Sequence, residues 1–585
     1  MSEVVVERRA YRLAVGAGGL GATLTSPAGE RWASLSLLAA VDRVDAVDET
    51  LAVEPPRVEG GALVVERRST LWRRAGVTVV CGDDQLELRA WVAGDGALGA
   101  VHLLGGRSLL AGAPTGFLPS GSSFRTLFSP NPGDPVELVR PASAAAVIGV
   151  SGDGTPGRGH WFSTPAPLYL ALTTDEVGDP EAPAAGGWLG LGIAAPVDEL
   201  GFVQLAYRPG DRSFHLLLDY EGHTSVDGDF RSPALVLTPG VTDPYDGLRR
   251  HRDDLVARRA APPVRPRRRP DWWHEPMFCG WGAQCHLART RGGRAQDFAT
   301  QAAYDAFLDA LAREGVVPGT VVVDDKWQDA YGTNAPDPRK WPDLRGWIAA
   351  RHERGGRVLL WWKAWDPEGL PAELCVRTPE GAPVVVDPTS PPAREALRRV
   401  VRGMLAPEGL DADGLKVDFT GRTPSGHALR TAGPGWGIAL LHELLALVHD
   451  AAKEAKEDAL LITQTPHPGF VDVTDMLRLN DMLRLDDVPR AGVQAAVVPQ
   501  MRLRAAVARA ACPELLVDTD DWCVPDRRTW REYLELKPEL GVPSLYYATH
   551  LDLTGEPLGA DDYEALRTTW ARWRERSRSR EEVHA

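Results

Sequence analysis

Between residues 277 and 547, eight short apolar segments alternate with longer segments of helical periodicity. The apolar segments are residues 277–281, 320–323, 358–362, 415–419, 460–463, 476–479, 515–517 and 544–547. Eight strands with interleaved helices over about 270 residues predict a (β/α)8 barrel. A doubly wound open sheet is the alternative, but no glycine-rich phosphate loop follows the first segment.

The chain before this region has a different pattern. Short alternating segments such as 86–92 and 213–219 are broken by Gly, Pro and Asp, which predicts a large β-sandwich. A length of 585 residues also favours two or more domains. The predicted organisation is multidomain β plus α/β: a sandwich at 1–250, a proline- and arginine-rich linker at 251–270, and a barrel at 271–585. A charged amphipathic helix at 563–578 closes the barrel.

Composition limits the partners. A net charge of −15 argues against nucleic acid or an anionic membrane as the main partner. The first residues lack the apolar run of a secretion signal, and no stretch reaches membrane-spanning length. Six scattered cysteines have neither disulfide nor zinc spacing. We therefore expect a reduced, cytoplasmic protein without cofactor that takes a small ligand, with a homo-oligomer left open.

The residues just past each predicted strand are rich in acids. In a barrel these positions share one face, which is where active sites lie. They are Asp324, Asp325, Lys363, Trp365, Asp366, Asp418, Gln464, Asn480, Asp481, Asp518, Asp520, Asp521, Thr549 and His550. Acids at five of the eight strand ends predict a functional site.

Lys416 and Asp418 lie two residues apart on the fourth predicted strand, so both side chains point to the same side. A nearby cation favours an ionised carboxylate, which suits a nucleophile. The alternative is a salt-bridged pair at a strand edge.

Glycosidic bond cleavage needs a second acid, which protonates the leaving oxygen. Asp481 follows the sixth predicted strand directly and is the candidate; Asp486, in the near-duplicate segment that follows, is the fallback. Asp486 and Asp487 are otherwise a solvated loop pair. Arg478 either contacts substrate, fixes a carboxylate, or forms a structural ion pair.

Asp324 and Asp325 are adjacent and fan out in a loop, where they can accept hydrogen bonds from two sugar hydroxyls; capping or solvation of the loop is the alternative. Tryptophans at strand ends suit the apolar faces of sugar rings, although core packing is the better explanation for any single one. They are Trp281, Trp327, Trp361, Trp362, Trp365 and Trp522. Trp281 and Trp361 are the candidates for substrate contact.

A metal site is the competing use of clustered acids. No H-x-H or H-E-x-x-H occurs, and His442–Glu443 lies on a helix whose apolar stripe passes through Leu444 and Leu445. That histidine belongs on the outer ring of helices, so no metal is predicted.

Three segments together resemble glycoside hydrolase clan D, family 36, the α-galactosidase and raffinose-synthase-like group. Lys416-Val417-Asp418 is similar to that family's nucleophile motif, Asp324-Asp325-Lys326-Trp327 to its hydroxyl-binding motif, and Arg478 to Asp481 to its acid/base segment. The resemblance implies a β-sandwich followed by a barrel. It also implies hydrolysis of α-galactosides with retention, with Asp481 rather than Asp486 as acid/base.

This sequence also departs from that family. Val417 stands where the α-galactosidases usually carry Trp, Phe419-Thr420 replaces a nearby Asn, and Met482 replaces a second Asp. Where that family commonly has a small C-terminal β-sandwich, a charged amphipathic helix at 563–578 is expected here. These changes leave the chemistry intact and leave open glucose, N-acetylgalactosamine or a pentose as the terminal sugar.

The expected function is a retaining α-glycosidase acting on terminal α-galactosides. In a retaining enzyme the two carboxyl groups lie about 5–5.5 Å apart. An α-glycosyl transferase and a non-catalytic carbohydrate-binding protein are the alternatives.

Overall fold

The computed structural model describes residues 4–110, 116–131, 138–151, 163–265, 267, 269–482 and 493–584. Within these ranges, the chain up to Val241 forms a β-rich unit of 21 strands. They are β1 (Val4–Glu7), β2 (Arg12–Val15), β3 (Gly21–Thr25), β4 (Arg31–Ser36), β5 (Ala40–Arg43), β6 (Glu49–Val53), β7 (Arg57–Glu59), β8 (Ala62–Ser69), β9 (Arg74–Cys81), β10 (Leu86–Leu103), β11 (Gly105–Ser108), β12 (Gly116–Ser122), β13 (Thr126–Phe128), β14 (Val139–Pro141), β15 (Ala146–Gly149), β16 (Tyr169–Thr173), β17 (Trp188–Ala194), β18 (Gln204–Gly210), β19 (Ser213–Asp219), β20 (Ser225–Arg231) and β21 (Ala234–Val241).

The long strand β10 connects two groups of strands. Its first part pairs with β9 and β21, and its second part pairs with β5 and β19, all antiparallel. Strand β19 shows why these segments are strands, because Phe214, Leu216 and Leu218 are buried while their neighbours are partly exposed. The β-rich N-terminal region is therefore confirmed.

Helix α1 (Pro244–Ala257) follows this unit. Asp243 caps its first turn by accepting a hydrogen bond from the Asp246 N–H at 2.7 Å, and Pro244 begins the helix without needing a donor. The predicted boundary at residue 250 falls inside this helix, and residues 251–257 of the predicted linker are helical.

The rest of the chain contains an eight-stranded parallel sheet in which each strand pairs with the next. Val542, just before the last strand, donates its N–H to the Val517 carbonyl at 2.7 Å and so connects the two ends of the sheet. A TIM-like barrel results. The parallel strands are β22 (Met277–Cys279), β23 (Thr320–Val323), β24 (Arg357–Lys363), β27 (Gly414–Asp418), β28 (Leu460–Thr463), β29 (Met476–Arg478), β30 (Leu516–Asp518) and β31 (Ser544–Leu545); β25 (Cys375–Arg377) and β26 (Pro383–Val386) form a separate hairpin.

All eight predicted strand positions are confirmed, with ends that differ by a few residues. The helices that cover the sheet are α2 (Trp281–Arg291), α3 (Gln301–Arg313), α4 (Leu344–His352), α5 (Pro391–Leu405), α6 (Gly437–Ala455), α7 (Val493–Ala511), α8 (Arg527–Leu540) and α9 (Ala560–His584). The alternation is incomplete, because only a short 3₁₀ helix, Pro468–Val473, joins β28 to β29. Among the described residues, no helix combines the length and apolarity that a membrane crossing requires.

The N-terminal unit contacts the loops that follow β27 and β28. Thr164 donates its N–H to the Gln464 carbonyl at 2.9 Å, and its hydroxyl group forms a hydrogen bond with that of Thr420. Nearby, Glu221 accepts from the Gly426 N–H at 2.9 Å and from the Trp436 indole at 3.2 Å. The N-terminal unit therefore supports the face of the barrel on which the predicted site lies.

Candidate active site

Arg478, the last residue of β29, joins three carboxylates. Its Nη2 lies 3.0 Å from Asp418 Oδ1, and its Nη1 lies 3.3 Å from Asp481 Oδ1 and 2.9 Å from Asp520 Oδ2. The guanidinium side chain is 4% exposed. Because Asp418 ends β27 and the other two acids follow β29 and β30, the parallel sheet itself brings them together.

Two neutral side chains also contact this guanidinium. Nη2 also donates to Gln464 Oε1 at 3.0 Å and to Asn480 Oδ1 at 2.6 Å. Arg478 is therefore held from strands β28 and β29 as well as by the three acids. Of the roles that the sequence left open for Arg478, fixing a carboxylate is the one these contacts describe.

Asp418 is held in one orientation by donors on both oxygens. The Phe419 N–H donates to Oδ1 at 2.9 Å, and the Trp361 indole donates to Oδ2 at 3.1 Å. Burial by itself would raise the pKa of Asp418, but Arg478 and Lys416, together with the Trp361 and Phe419 hydrogen bonds, outweigh burial, so that this pKa lies below its ordinary value. An ionised, oriented carboxylate can attack a carbon centre.

Asp481 has the opposite electrostatic setting. Burial raises its pKa to about 7, and the negative charges of Asp520 and Asp418 add to this effect against the opposing influence of Arg478. Its side chain keeps 30% of its surface exposed, whereas that of Asp418 keeps 19%. A carboxylic acid with a pKa near neutrality can donate a proton and take it back.

Lys416 forms its direct ion pair with Asp324 rather than with Asp418. Its Nζ lies 2.8 Å from Asp324 Oδ2, and both side chains are 3% exposed. The Cys279 thiol donates to the same oxygen at 3.0 Å. Lys416 thus lowers the pKa of Asp418 through space, while its hydrogen bond holds the buried Asp324 in place.

Asp325 turns to the other side of the loop after β23. The Tyr331 hydroxyl donates to its Oδ1 at 2.7 Å and Gln296 Nε2 donates to its Oδ2 at 3.0 Å. Burial raises the pKa of Asp325 to about 6 despite the Tyr331 hydrogen bond. The two adjacent acids therefore fan out, and their contact with sugar hydroxyls stays a prediction.

The two candidate tryptophans occupy different environments. Trp361 is 1% exposed and gives its indole N–H to Asp418, so in this structure it orients the carboxylate. Trp281 begins α2 and is partly exposed. Stacking of either ring on a sugar stays a prediction.

Left-handed backbone conformations cluster at this face of the barrel. Five non-glycine residues there have φ between 49° and 73°, a region that costs roughly 1–3 kcal/mol for such residues. Each lies in the segment that follows a barrel strand, and Phe419, Asn480 and Lys326 are directly adjacent to Asp418, Asp481 and Asp325. The five are Lys326, Trp365, Phe419, Asn480 and Asp520. The sharp turns direct the neighbouring carboxylates into one region.

Sequence reasoning missed Arg504, which lies on α7 and supports the acid/base segment. Its Nη1 donates to the backbone carbonyls of Leu479, Asn480 and Asp481 at 2.7, 3.0 and 2.8 Å. A signal was present in the sequence, because Arg504 falls in the buried stripe of α7, three residues after the fully buried Met501. Cys279, Gln296 and Tyr331 were missed without a comparable signal.

The fallback residue Asp486, with Asp487, lies outside the described residues. Among the residues that are described, no group of three or more His, Cys, Asp or Glu side chains is arranged to hold a metal ion. His442 lies on α6, and its ring nitrogen Nε2 is 3.4 Å from Asp472 Oδ1.

Comparison with known proteins shows the fold. A scan of protein-family models and a search of curated proteins found no match to the sequence. Among solved structures, a GH31 family sulfoquinovosidase from E. rectale, in complex with an aza-sugar inhibitor, matches with a TM-score of 0.59 at 11% identity, over 97% of this chain and 82% of that one. An α-galactosidase from Thermus thermophilus in complex with stachyose matches with a TM-score of 0.51 at 17% identity, over 88% and 99%.

A third match is the cycloalternan-degrading enzyme from Trueperella pyogenes in complex with a covalent intermediate. Its TM-score is 0.51 at 14% identity, over 89% of this chain and 72% of that one. The chain thus shares a two-part fold with carbohydrate-cleaving enzymes. Because these neighbours act on different sugars by their descriptions, the fold does not single out family 36, and membership of that family stays a prediction.

Proposed function

We propose that this protein is a retaining α-glycosidase that acts on terminal α-galactosides. The observation that carries the proposal is the opposite electrostatic setting of two carboxylates that share one arginine. The pKa of Asp418 is lowered, and that of Asp481 is raised to about 7. A double displacement needs an ionised nucleophile beside a protonated acid.

The first step forms a bond between Asp418 Oδ and the anomeric carbon while the glycosidic C–O bond breaks. The leaving oxygen takes the proton of Asp481. Asp418 must be ionised for this step, and Arg478 and Lys416 favour that state. The Trp361 and Phe419 donors hold the attacking carboxylate in place, which lowers the entropic cost of reaching the transition state.

The second step releases the sugar. Asp481, now ionised, removes a proton from water, whose oxygen attacks the anomeric carbon and displaces the Asp418 carboxylate. Inversion occurs twice, so the product has the starting configuration. When a sugar hydroxyl replaces water in this step, the same residues carry out transfer.

Galactose as the terminal sugar is supported by the Asp324-Asp325-Lys326-Trp327 motif and by the fold shared with an α-galactosidase. In the structure, Asp324 and Asp325 face different partners, which gives two separated acceptors for hydroxyl groups.

The test is release of nitrophenol from a panel of aryl α- and β-glycosides. We expect turnover of one α-glycoside, its loss in Asp418→Asn, and no response to a chelator. NMR of the first-formed product should show the α-anomer. Sugar binding without turnover by the folded protein would indicate a carbohydrate-binding protein, and a β-anomer as first product would indicate inversion.

A further inference from the structure

The six tryptophans that the sequence places at strand ends divide into two groups. Four are 3% exposed or less: Trp327, Trp361, Trp362 and Trp365. The other two, Trp281 and Trp522, are partly exposed. These two contact each other edge to face, with ring centroids 5.9 Å apart and an interplanar angle of 69°. Exposed indole surface at these positions is therefore confined to one place.

This pair lies beside the acid/base segment. The Trp522 carbonyl accepts from the Met482 N–H at 2.8 Å, and Met482 directly follows Asp481. The Trp522 N–H donates to Asp520 Oδ1 at 3.0 Å, while Oδ2 of the same carboxylate contacts Arg478. The backbone of Trp522 is thus fixed to Met482, which follows Asp481 in the chain, and to Asp520, which shares Arg478 with Asp481, so its position follows that of the acid/base.

The wall formed by the pair is also held from the loop after β31. The Trp522 indole donates to Asp552 Oδ2 at 3.2 Å. Arg289, on the helix that Trp281 begins, donates to the Asp552 carbonyl at 2.8 Å. His286 of the same helix stacks on His550, with centroids 4.4 Å apart. Three separate segments are therefore tied together around the two indoles.

The position of Asp481 indicates which part of the substrate the two indoles would contact. In the first step the bond between the anomeric carbon and the leaving oxygen breaks, and that oxygen takes the Asp481 proton. The leaving group must therefore lie on the Asp481 side of the site. A ring with an apolar body and a polar edge, such as an indole, suits the apolar face of a sugar.

We propose that Trp281 and Trp522 form the binding site for the leaving-group sugar, so that the natural substrate is an oligosaccharide rather than a glycoside of a small aglycone. This inference rests on the proposed function. The same site receives the acceptor in the second step: a sugar hydroxyl loses its proton to Asp481, attacks the anomeric carbon and displaces the Asp418 carboxylate. Transfer and hydrolysis then compete at one pair of indoles.

The experiment compares an α-galactosyl fluoride with raffinose, which share a terminal α-galactose but differ in leaving group. Fluoride fills no sugar site, so the ratio of kcat/KM for raffinose to that for the fluoride isolates the leaving-group contacts. We expect Trp522→Ala and Trp281→Ala to lower this ratio by tenfold or more, mainly through KM for raffinose. Trp522→Phe should recover most of the ratio, because it keeps an aromatic ring.

Trp272→Ala is the matched control, since Trp272 is also partly exposed but lies in the 3₁₀ helix Asp271–His274, before the first barrel strand. It should leave the ratio unchanged. Equal losses on both substrates in Trp522→Ala, or an unchanged ratio, would overturn the inference. Failure of the wild-type protein to turn over either substrate, together with a silent glycoside panel, would instead count against the proposed function. A second readout is transfer of galactose from the fluoride to an added sugar, which should fall with the same variants.

Discussion

Both halves of the molecule bury an arginine with aspartate, but they distribute the charge differently. In the N-terminal unit, Arg67 pairs with Asp48, and the two side chains are 2% and 0% exposed. Asp48 also accepts from the Val41 N–H at 2.9 Å and from the Ser69 hydroxyl at 2.5 Å. One cation meets one anion, and both carboxylate oxygens have donors.

The barrel instead gives one arginine to three carboxylates. Arg478 contacts Asp418, Asp481 and Asp520, so the cluster has more negative than positive charge at that point. Burial raises the pKa of Asp481, and the charges of Asp520 and Asp418 raise it further against the opposing charge of Arg478. A matched pair stabilises a fold, whereas an unmatched cluster keeps one proton available for chemistry.

The largest expected effect separates these two roles with one kind of substitution. Asp418→Asn should lower kcat on the best aryl glycoside by about 10⁴-fold or more, because it removes the nucleophile. Asp48→Asn should leave kcat of the folded protein in place and reduce the free energy of unfolding by about 3 kcal/mol or more, because it leaves Arg67 buried without a counter-charge. Steady-state kinetics and chemical denaturation of both variants measure the contrast.

The contrast follows from the carboxylate partners that each arginine keeps after the substitution. Arg478 keeps Asp481 and Asp520 when Asp418 is neutral, whereas Arg67 has no second carboxylate within ion-pair distance in the described part of the chain. Asp418→Asn should therefore destabilise the protein less than Asp48→Asn. Equal stability losses in the two variants would contradict this interpretation of the barrel cluster.

Removal of the acid should have a smaller effect that depends on the leaving group. Asp481→Asn should lower kcat/KM on an oligosaccharide by about 10²–10⁴-fold, since general acid catalysis contributes roughly that much. Substrates whose leaving group needs no proton, such as a glycosyl fluoride, should lose far less. A series of aryl glycosides with leaving groups of increasing pKa checks this, and a loss that is uniform across the series would rule out Asp481 as the acid.

Much of this site followed from the sequence because parallel strands bring their carboxyl ends together. Periodicity located all eight strands, and Asp418, Asp481 and Arg478 then fell on one face. The eighteen-residue strand β10 was not anticipated, because strand lengths depend on packing between distant segments.

Side-chain pairing was less predictable than position. Lys416 lowers the pKa of Asp418, two residues away, only through space, whereas its hydrogen bond goes to Asp324, which follows β23. A strand pattern gives the side on which a residue lies and not which of several inward acids is closest. The same limit applies to Asp520, whose contact with Arg478 depends on the left-handed turn at that residue, φ 49°.

The activity should depend on pH through the protonation of Asp481. Asp481 must be protonated in the first step, so kcat/KM should fall about tenfold per pH unit above about 7, the pKa of Asp481. The charge of Asp520 helps raise that pKa. Asp520→Asn should therefore move the alkaline limb to lower pH. A pH profile of kcat/KM for both proteins measures this.

Asp521→Asn offers a matched control for that shift. Asp521 follows Asp520 in the chain and is also buried, but it forms an ion pair with Lys537 at 2.7 Å and not with Arg478. It should leave the alkaline limb in place even where it lowers stability. A limb that moves equally in both variants would show that the shift comes from general disturbance of the loop.

The smallest expected effect tests whether the backbone of the acid/base segment is held from outside the site. Arg504 reaches three successive carbonyls, those of Leu479, Asn480 and Asp481, with one guanidinium nitrogen. Arg504→Lys keeps the charge but replaces the planar fork with a single ammonium group. We expect kcat to fall about tenfold, since a small misplacement of a catalytic group is costly.

The loss should be greater on oligosaccharides than on a glycosyl fluoride, because the acid rather than the nucleophile is displaced. An equal loss on both substrates would mean that Arg504 supports the whole barrel face. Helix α7, which carries Arg504, would then be part of the structural framework of the site and not a specific support for the acid.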